Sequence, residues 1–129
     1  MRKILSILSV ALVAFIFAAC SNNSPAGVVE EYVSCLQNGK YEKAVELFHF
    51  RNALDADQKQ YMASLVERAA EQYKEKGGIA SVKVNDVKVA ESGDAATVSY
   101  TTTYGDGSTK DDSDKVIKVD GKWLFDSGK

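Results

Sequence analysis

The side chains able to do chemistry are few: two cysteines, one histidine and a run of aspartates. Cys35 has no histidine or second cysteine near it, so its expected role is that of a small, semi-buried apolar residue, with a reactive thiol as the alternative. His49 is of the right type for proton transfer near neutral pH. It sits beside Arg51 and Asn52 and off the apolar stripe of its segment, which describes a surface or capping residue. Asp106, Asp111, Asp112 and Asp114 offer oxygens of the kind calcium takes. Their spacing lacks the alternating Asp/Asn and the closing Glu of an EF-hand loop, and solvated hairpin and edge-strand charge accounts for them. Thr97, Ser99, Thr101 and Thr103 alternate along one segment with no Lys or His in register, so no nucleophile–base pair can be read there. From residue types and spacing, then, no catalytic residue, no metal site and no cofactor are assigned.

The remaining reactive group is Cys20, and its surroundings are specific. Arg2 and Lys3 precede an apolar run from Ile4 to Ala19, and Ser21-Asn22-Asn23-Ser24 follows. A basic start, a short apolar stretch and small residues before a cut site describe an export signal. Cysteine directly after Phe17-Ala18-Ala19 resembles a bacterial lipoprotein signal, which implies acylation of the Cys20 thiol. The run of 16 residues is short of the ~20 that span a bilayer, and bulky Phe17 suits ordinary secretory cleavage poorly. The expectation is therefore a signal over 1–19, a lipidated tether over 20–24 and one domain over 25–129. With Cys20 consumed by lipid, Cys35 has no disulfide partner in the chain, and a Cys-based zinc site is excluded as well. The expected location is the bacterial cell envelope, outside the cytoplasm, on the periplasmic side rather than the cell surface.

Loss of the leader removes Arg2 and Lys3, leaving 14 basic against 18 acidic side chains, a net charge of −4. Such a surface gives no support to nucleic-acid binding, and it supplies no polybasic second membrane signal. The lipid on Cys20 is the expected membrane partner.

The elements that must position these residues are marked by turn and cap signals. Ser24-Pro25 opens a helix whose Val28, Val29, Tyr32, Val33 and Leu36 share a face, and Asn38-Gly39 stops it. A second helix is predicted from about Tyr41 to Phe50. A third opens at Asp55 with Gln58 three residues on, carries the stripe Tyr61, Met62, Leu65, Val66, Ala69 and Tyr73, and ends at Gly77-Gly78. At roughly 30 Å it is long enough to lie across a small sheet. Beyond Ile79 the period becomes two. Val82 and Val84 have the opposite parity to Val87 and Val89, and a β-bulge at Asn85-Asp86 would return all four to one face. Ala96 to Tyr104 alternates with one wet face. A third strand ends in Val116–Val119, Asp120-Gly121 is a hairpin signal, and the last strand puts Trp123 and Phe125 on one face and Leu124 on the other. Three helices followed by a four-stranded antiparallel meander is an α+β domain, with the helices on one face. There is no βαβ crossover and no Gly-rich phosphate loop.

With these parts in order, the chain resembles the small bacterial lipoproteins that carry a nuclear-transport-factor-2-like (NTF2-like, cystatin-like α+β) domain, some of them labelled as lumazine-binding candidates. The likeness rests on the lipobox, on Leu36-Gln37-Asn38-Gly39-Lys40-Tyr41-Glu42-Lys43-Ala44 between two helices, on Gly77-Gly78-Ile79 leading into Val-rich strands, and on Asp120-Gly121-Lys122-Trp123 before the last strand. It covers nearly all of 24–126. These motifs are structural joints, so the resemblance implies a fold and no catalytic residues. It implies a sheet curved into a cone with a pocket at its mouth, for which Tyr32, Phe48, Tyr61, Tyr100, Trp123 and Phe125 are the candidate lining residues; simple core filling is the alternative for all six. The expected function is a lipid-anchored, non-catalytic module that binds a small apolar ligand or an envelope protein. A small hydrolyase- or isomerase-like enzyme using the same pocket is the runner-up. Sheets of this superfamily often pair, which makes a homodimer compatible with the resemblance, although no residue here demands one.

Overall fold

A computed structural model describes residues 23–127. The lipobox and Cys20 lie outside the described residues. Helix α1 (Pro25–Gln37) begins as its sequence dictates: Ser24 is extended, and its hydroxyl accepts a hydrogen bond from the Gly27 N–H at 3.0 Å. Gly39, at φ 72°, reverses the chain after it. Val28, Val29, Val33 and Leu36 form the buried face, which packs on strands β2 (Ile79–Val89), β3 (Ala95–Tyr104) and β5 (Lys122–Asp126).

Helix α2 is shorter than its apolar pattern suggests. It covers Tyr41–Val45 and ends there. The N–H groups of Glu46 and Leu47 turn back to carbonyls three residues earlier, and the chain becomes strand β1 (Phe48–His49), which runs parallel to β5. The helical reading of 46–50 is corrected by tertiary pairing. β5 offers an open edge, the Phe125 N–H donates to the Leu47 carbonyl at 2.8 Å, and Phe48 comes to lie beside Phe125. The sheet is consequently five-stranded rather than four-stranded, in the order β1-β5-β4-β3-β2 with β4 spanning Thr109–Val119, and one of its pairings is parallel.

Helix α3 (Ala56–Lys74) carries a complete capping box: the Asp55 side chain accepts from the Gln58 N–H at 2.8 Å, and the Gln58 side chain accepts from the Asp55 N–H at 3.0 Å. Its position differs from expectation. It packs chiefly on α2, touches α1, and does not lie flat on the sheet, because α1 already occupies the concave face. None of its stripe is fully buried, with Tyr61 63% exposed and Leu65 37% exposed, and the buried residues of the helix are the small Ala63 and Ala70 beside the stripe.

The bulge foreseen in β2 is present. Val84 pairs with Tyr100 but Asp86 pairs with Ser99, so one residue is skipped. Val82, Val84 and Val87 accordingly all pack on the core, and Val89 projects past the helical cover at 55% exposure. Asp120 and Gly121 both adopt positive φ, 52° and 83°, as the β4–β5 hairpin requires. At the other end of the sheet, Gly105 lies so close to Gly77 that a Cβ on it would stand 2.2 Å from the Gly77 carbonyl oxygen. That contact fixes the exit of α3 against the β3–β4 turn. The centre is filled by Val28, Val29, Val98, Val116 and Cys35. Burial, followed by the nearby Glu31 carboxylate, pushes the Cys35 thiol up, which disfavours the reactive thiolate.

Candidate functional site: the cleft beneath α3

Because α3 stands off the sheet, a cleft of about 420 Å³ remains between it and the ends of β1 and β5. Tyr32, Val45, Phe48, Phe50, Met62, Leu65, Val66 and Ala69 form its walls, and Asp126 and Ser127 lie at its rim. A second groove of about 680 Å³ adjoins it, bounded by Phe50 to Leu54 and by Asp57, Gln58, Tyr61 and Met62 at the start of α3. The two share Phe50 and Met62, so an apolar trough runs across the first half of α3. Cavities of about 300–1,000 Å³ with mostly apolar walls are the size class that takes small ligands.

The cleft is anchored by rings. Tyr32 meets Phe48 edge-on at 5.6 Å and Phe125 at 5.4 Å, and Phe48 lies 5.0 Å from Phe125 at a tilt. The parallel β1–β5 pairing is what brings Phe48 and Phe125 into register. Tyr32 reaches them from the middle of α1.

Of the six residues singled out from the sequence, Tyr32, Phe48 and Phe125 therefore come together. Tyr32 and Phe48 line the cleft, and Phe125, 5% exposed, lies beneath them. Trp123 is 6% exposed, part of the filled core and not among the cleft's lining residues. Tyr61 stands on the solvent side of α3 and lines the outer groove only. Tyr100 is on the concave face of β3, where its hydroxyl donates to Asp114 at 2.5 Å.

Asp114 was legible in type and not in place. The pleat of β4 puts Asp112 and Asp114 on the same face as buried Val116, and Asp111 on the opposite face, where Thr101 donates to it at 2.6 Å. Asp106 turns aside to cap the β3–β4 turn, accepting from the N–H and hydroxyl of Ser108, bonds that hold its carboxyl below the usual range. The aspartate run is thus divided three ways, and among the described residues no group of three His, Cys, Asp or Glu side chains converges on a common point. The edge-strand reading holds for part of the strand: β5 pairs only with Val116–Val119, leaving residues 109–115 with β3 as sole neighbour. The parity shared with Val116 is the signal that puts Asp112 and Asp114 on the half-buried face of β4.

Burial and the hydrogen bond to Asp114 keep the Tyr100 phenol protonated far above its ordinary range. Burial, then the nearby Tyr73 and Asp114, push Tyr32 up to about 12. His49 lies apart from this interior. It lines a shallow depression with Glu46 and Lys59, which pair with each other, and its backbone carbonyl accepts from the Ser127 hydroxyl.

A helix packed on one face of a five-stranded sheet, with two further helices beside it, is an α+β arrangement, and its fold is NTF2-like. Solved structures agree. A candidate NTF2-like transpeptidase from Campylobacter jejuni superposes with a TM-score of 0.63 at 15% identity, over 80% of this chain and 97% of that one. RPA3114 from Rhodopseudomonas palustris, a protein containing a SEC-C motif, gives 0.54 at 15% identity, over 81% and 77%. At such identities the likeness is one of fold alone. No curated protein sequence matches the chain. Residues 18–125 match a domain of unknown function, DUF4878, and the chain belongs to that family.

Proposed function

We propose that this protein is a lipid-anchored, extracytoplasmic binding module that holds a small apolar ligand in the cleft beneath α3. The observation that carries the reading is the half-covered apolar trough itself. Met62 and Leu65 on α3 face a wall of Phe48, Phe50 and Tyr32 with about 420 Å³ of open space between them. A domain of this size has little apolar surface to leave uncovered, and open apolar surface in a groove is the usual mark of an interaction site. Lipidation at Cys20, five residues before α1 begins, would keep that cleft close to a membrane.

One observation favours the runner-up, an enzyme of hydrolyase or isomerase type: Tyr100 and Asp114 form a partly buried titratable pair. Against it, a phenol held so firmly protonated is poorly matched to proton transfer near neutral pH, and His49 is outside the interior.

Two measurements test the proposal. The neutral dye Nile red should gain fluorescence with this protein, and Leu65→Glu, which puts a charge at the cleft wall without disturbing the core, should abolish the gain. A dye signal that is absent, or indifferent to Leu65→Glu, overturns the binding site. Separately, Cys20→Ala should move the protein from the membrane to the soluble fraction and end fatty-acid labelling; retained labelling overturns the anchor.

A further inference from the structure

We infer that the ligand is a single-chain amphiphile with a carboxylate head, its alkyl chain lying lengthwise in the trough under α3 and its head at Arg51. This rests on the proposed function and adds the ligand's chemical class and orientation.

The shape of the trough argues for a chain. Its two grooves are consecutive along α3: the helix bounds the outer one from Asp57 to Met62 and the inner one from Met62 to Ala69. From Asp57 to Ala69 the helix rises about 18 Å. Phe50 lines both grooves, so the facing wall continues from one to the other. A compact ligand would fill one groove and leave the apolar wall of the other uncovered, whereas an unbranched chain can cover both. Met62, at the joint, is a flexible side chain of the kind that adapts to what lies against it.

Charge sets the direction. Among the described residues, Arg51 is the one basic side chain that lines either groove, and it directly follows Phe50. The ion pairs of the described residues are Lys43–Glu31, Lys59–Glu46 and Lys110–Asp112, and Arg51 takes part in none. Its guanidinium offers five N–H donors in a planar fork, which matches the two oxygens of a carboxylate. Arg51 is exposed, so a head group there stays hydrated while only methylene surface moves under α3. Asp126 rims the inner cleft and opposes an anionic head at that end. Asp57, the acidic residue of the outer groove, lies in the first turn of α3, where the positive end of the helix offsets its charge.

Calorimetric titration with decanoate, decanol and decylamine, each below its micellar concentration, tests the head group. Decanoate should bind about fivefold more tightly than decanol, the most that one solvent-accessible ion pair supplies, with decylamine weakest. Arg51→Gln should bring decanoate to the level of decanol and leave decanol unchanged, while Asp57→Asn should keep the preference. Equal affinities for the three probes, decylamine binding most tightly, or a decanoate preference that survives Arg51→Gln overturns the carboxylate head and leaves the apolar cleft intact. Octanoate, decanoate and dodecanoate test the placement of the chain: affinity should rise with length, by up to about fourfold per CH₂, and no gain from octanoate to dodecanoate overturns the lengthwise chain. If none of these probes binds, the cleft reading fails, and this inference with it.

Discussion

The space under α1 and the space under α3 are built from similar residues and end in opposite states. Under α1, small β-branched side chains on both partners interlock. Val28 and Val29 from the helix meet Val98 and Val116 from the sheet, and all four are at most 1% exposed. Under α3 the residues are larger and fewer of them touch: Met62, Leu65 and Val66 face Phe48 and Phe50 across open space. The first region is a core. The second has the residue types of a core without the contacts, and this is where a ligand has room. An apolar stripe therefore does not by itself say which of the two it becomes; what decides is whether another element reached the facing surface first.

Three substitutions or conditions press on this difference. Phe125→Ala should have the largest effect, because Phe125 floors the cleft and also belongs to the packed core. A loss of ~3–5 kcal/mol is expected, the range for truncating a buried Phe, measured by urea unfolding. A loss below ~1 kcal/mol would place Phe125 with the loosely packed region and redraw the boundary.

Alkaline pH should have a smaller effect, arising between the two regions. Tyr32 is raised from its ordinary value of 10.0 to about 12, and Tyr100 is raised too. Above pH 10 the unfolded chain gives up these protons while the folded chain keeps them, so the unfolded state binds fewer protons and stability falls as pH rises. The contribution is complete below 10 and, for Tyr32, is lost on the way to about 12. Unfolding free energy followed over that window should decline, and Tyr32→Phe should flatten the slope. An unchanged slope would mean that Tyr32 is wetter than its place beside Phe48 and Phe125 implies.

Tyr61→Ser should do least to stability, within about 0.5 kcal/mol, as for other surface positions, since Tyr61 is 63% exposed. It should still weaken Nile red in the outer groove, which Tyr61 lines. A stability loss of several times that size would show α3 to be closed down on a partner surface rather than standing open.

Much of this architecture could be read residue by residue. Ser24-Pro25, Asp55 with Gln58, and Asp120-Gly121 act locally: each satisfies backbone groups or sets φ within three or four residues, and each does in the structure what its type implies. The β2 bulge was readable for a related reason, since a parity break among Val82, Val84, Val87 and Val89 has one simple mechanical remedy. The site was less legible. Nothing near Phe48 in sequence reports that β5 has an edge to fill, so a segment of helical pattern became a strand and carried Phe48 onto Phe125. The stripe on α3 could not announce that the sheet was already taken by α1. Asp114 lay in a run that looks like surface charge, and only the pairing of β4 turned it toward Tyr100. Caps, turns and parity are decided by neighbours in the chain, so the sequence determined them by itself. Which surfaces meet, and which are left apart to form the cleft, depends on competition among elements distant in sequence, and the tertiary structure alone decided it.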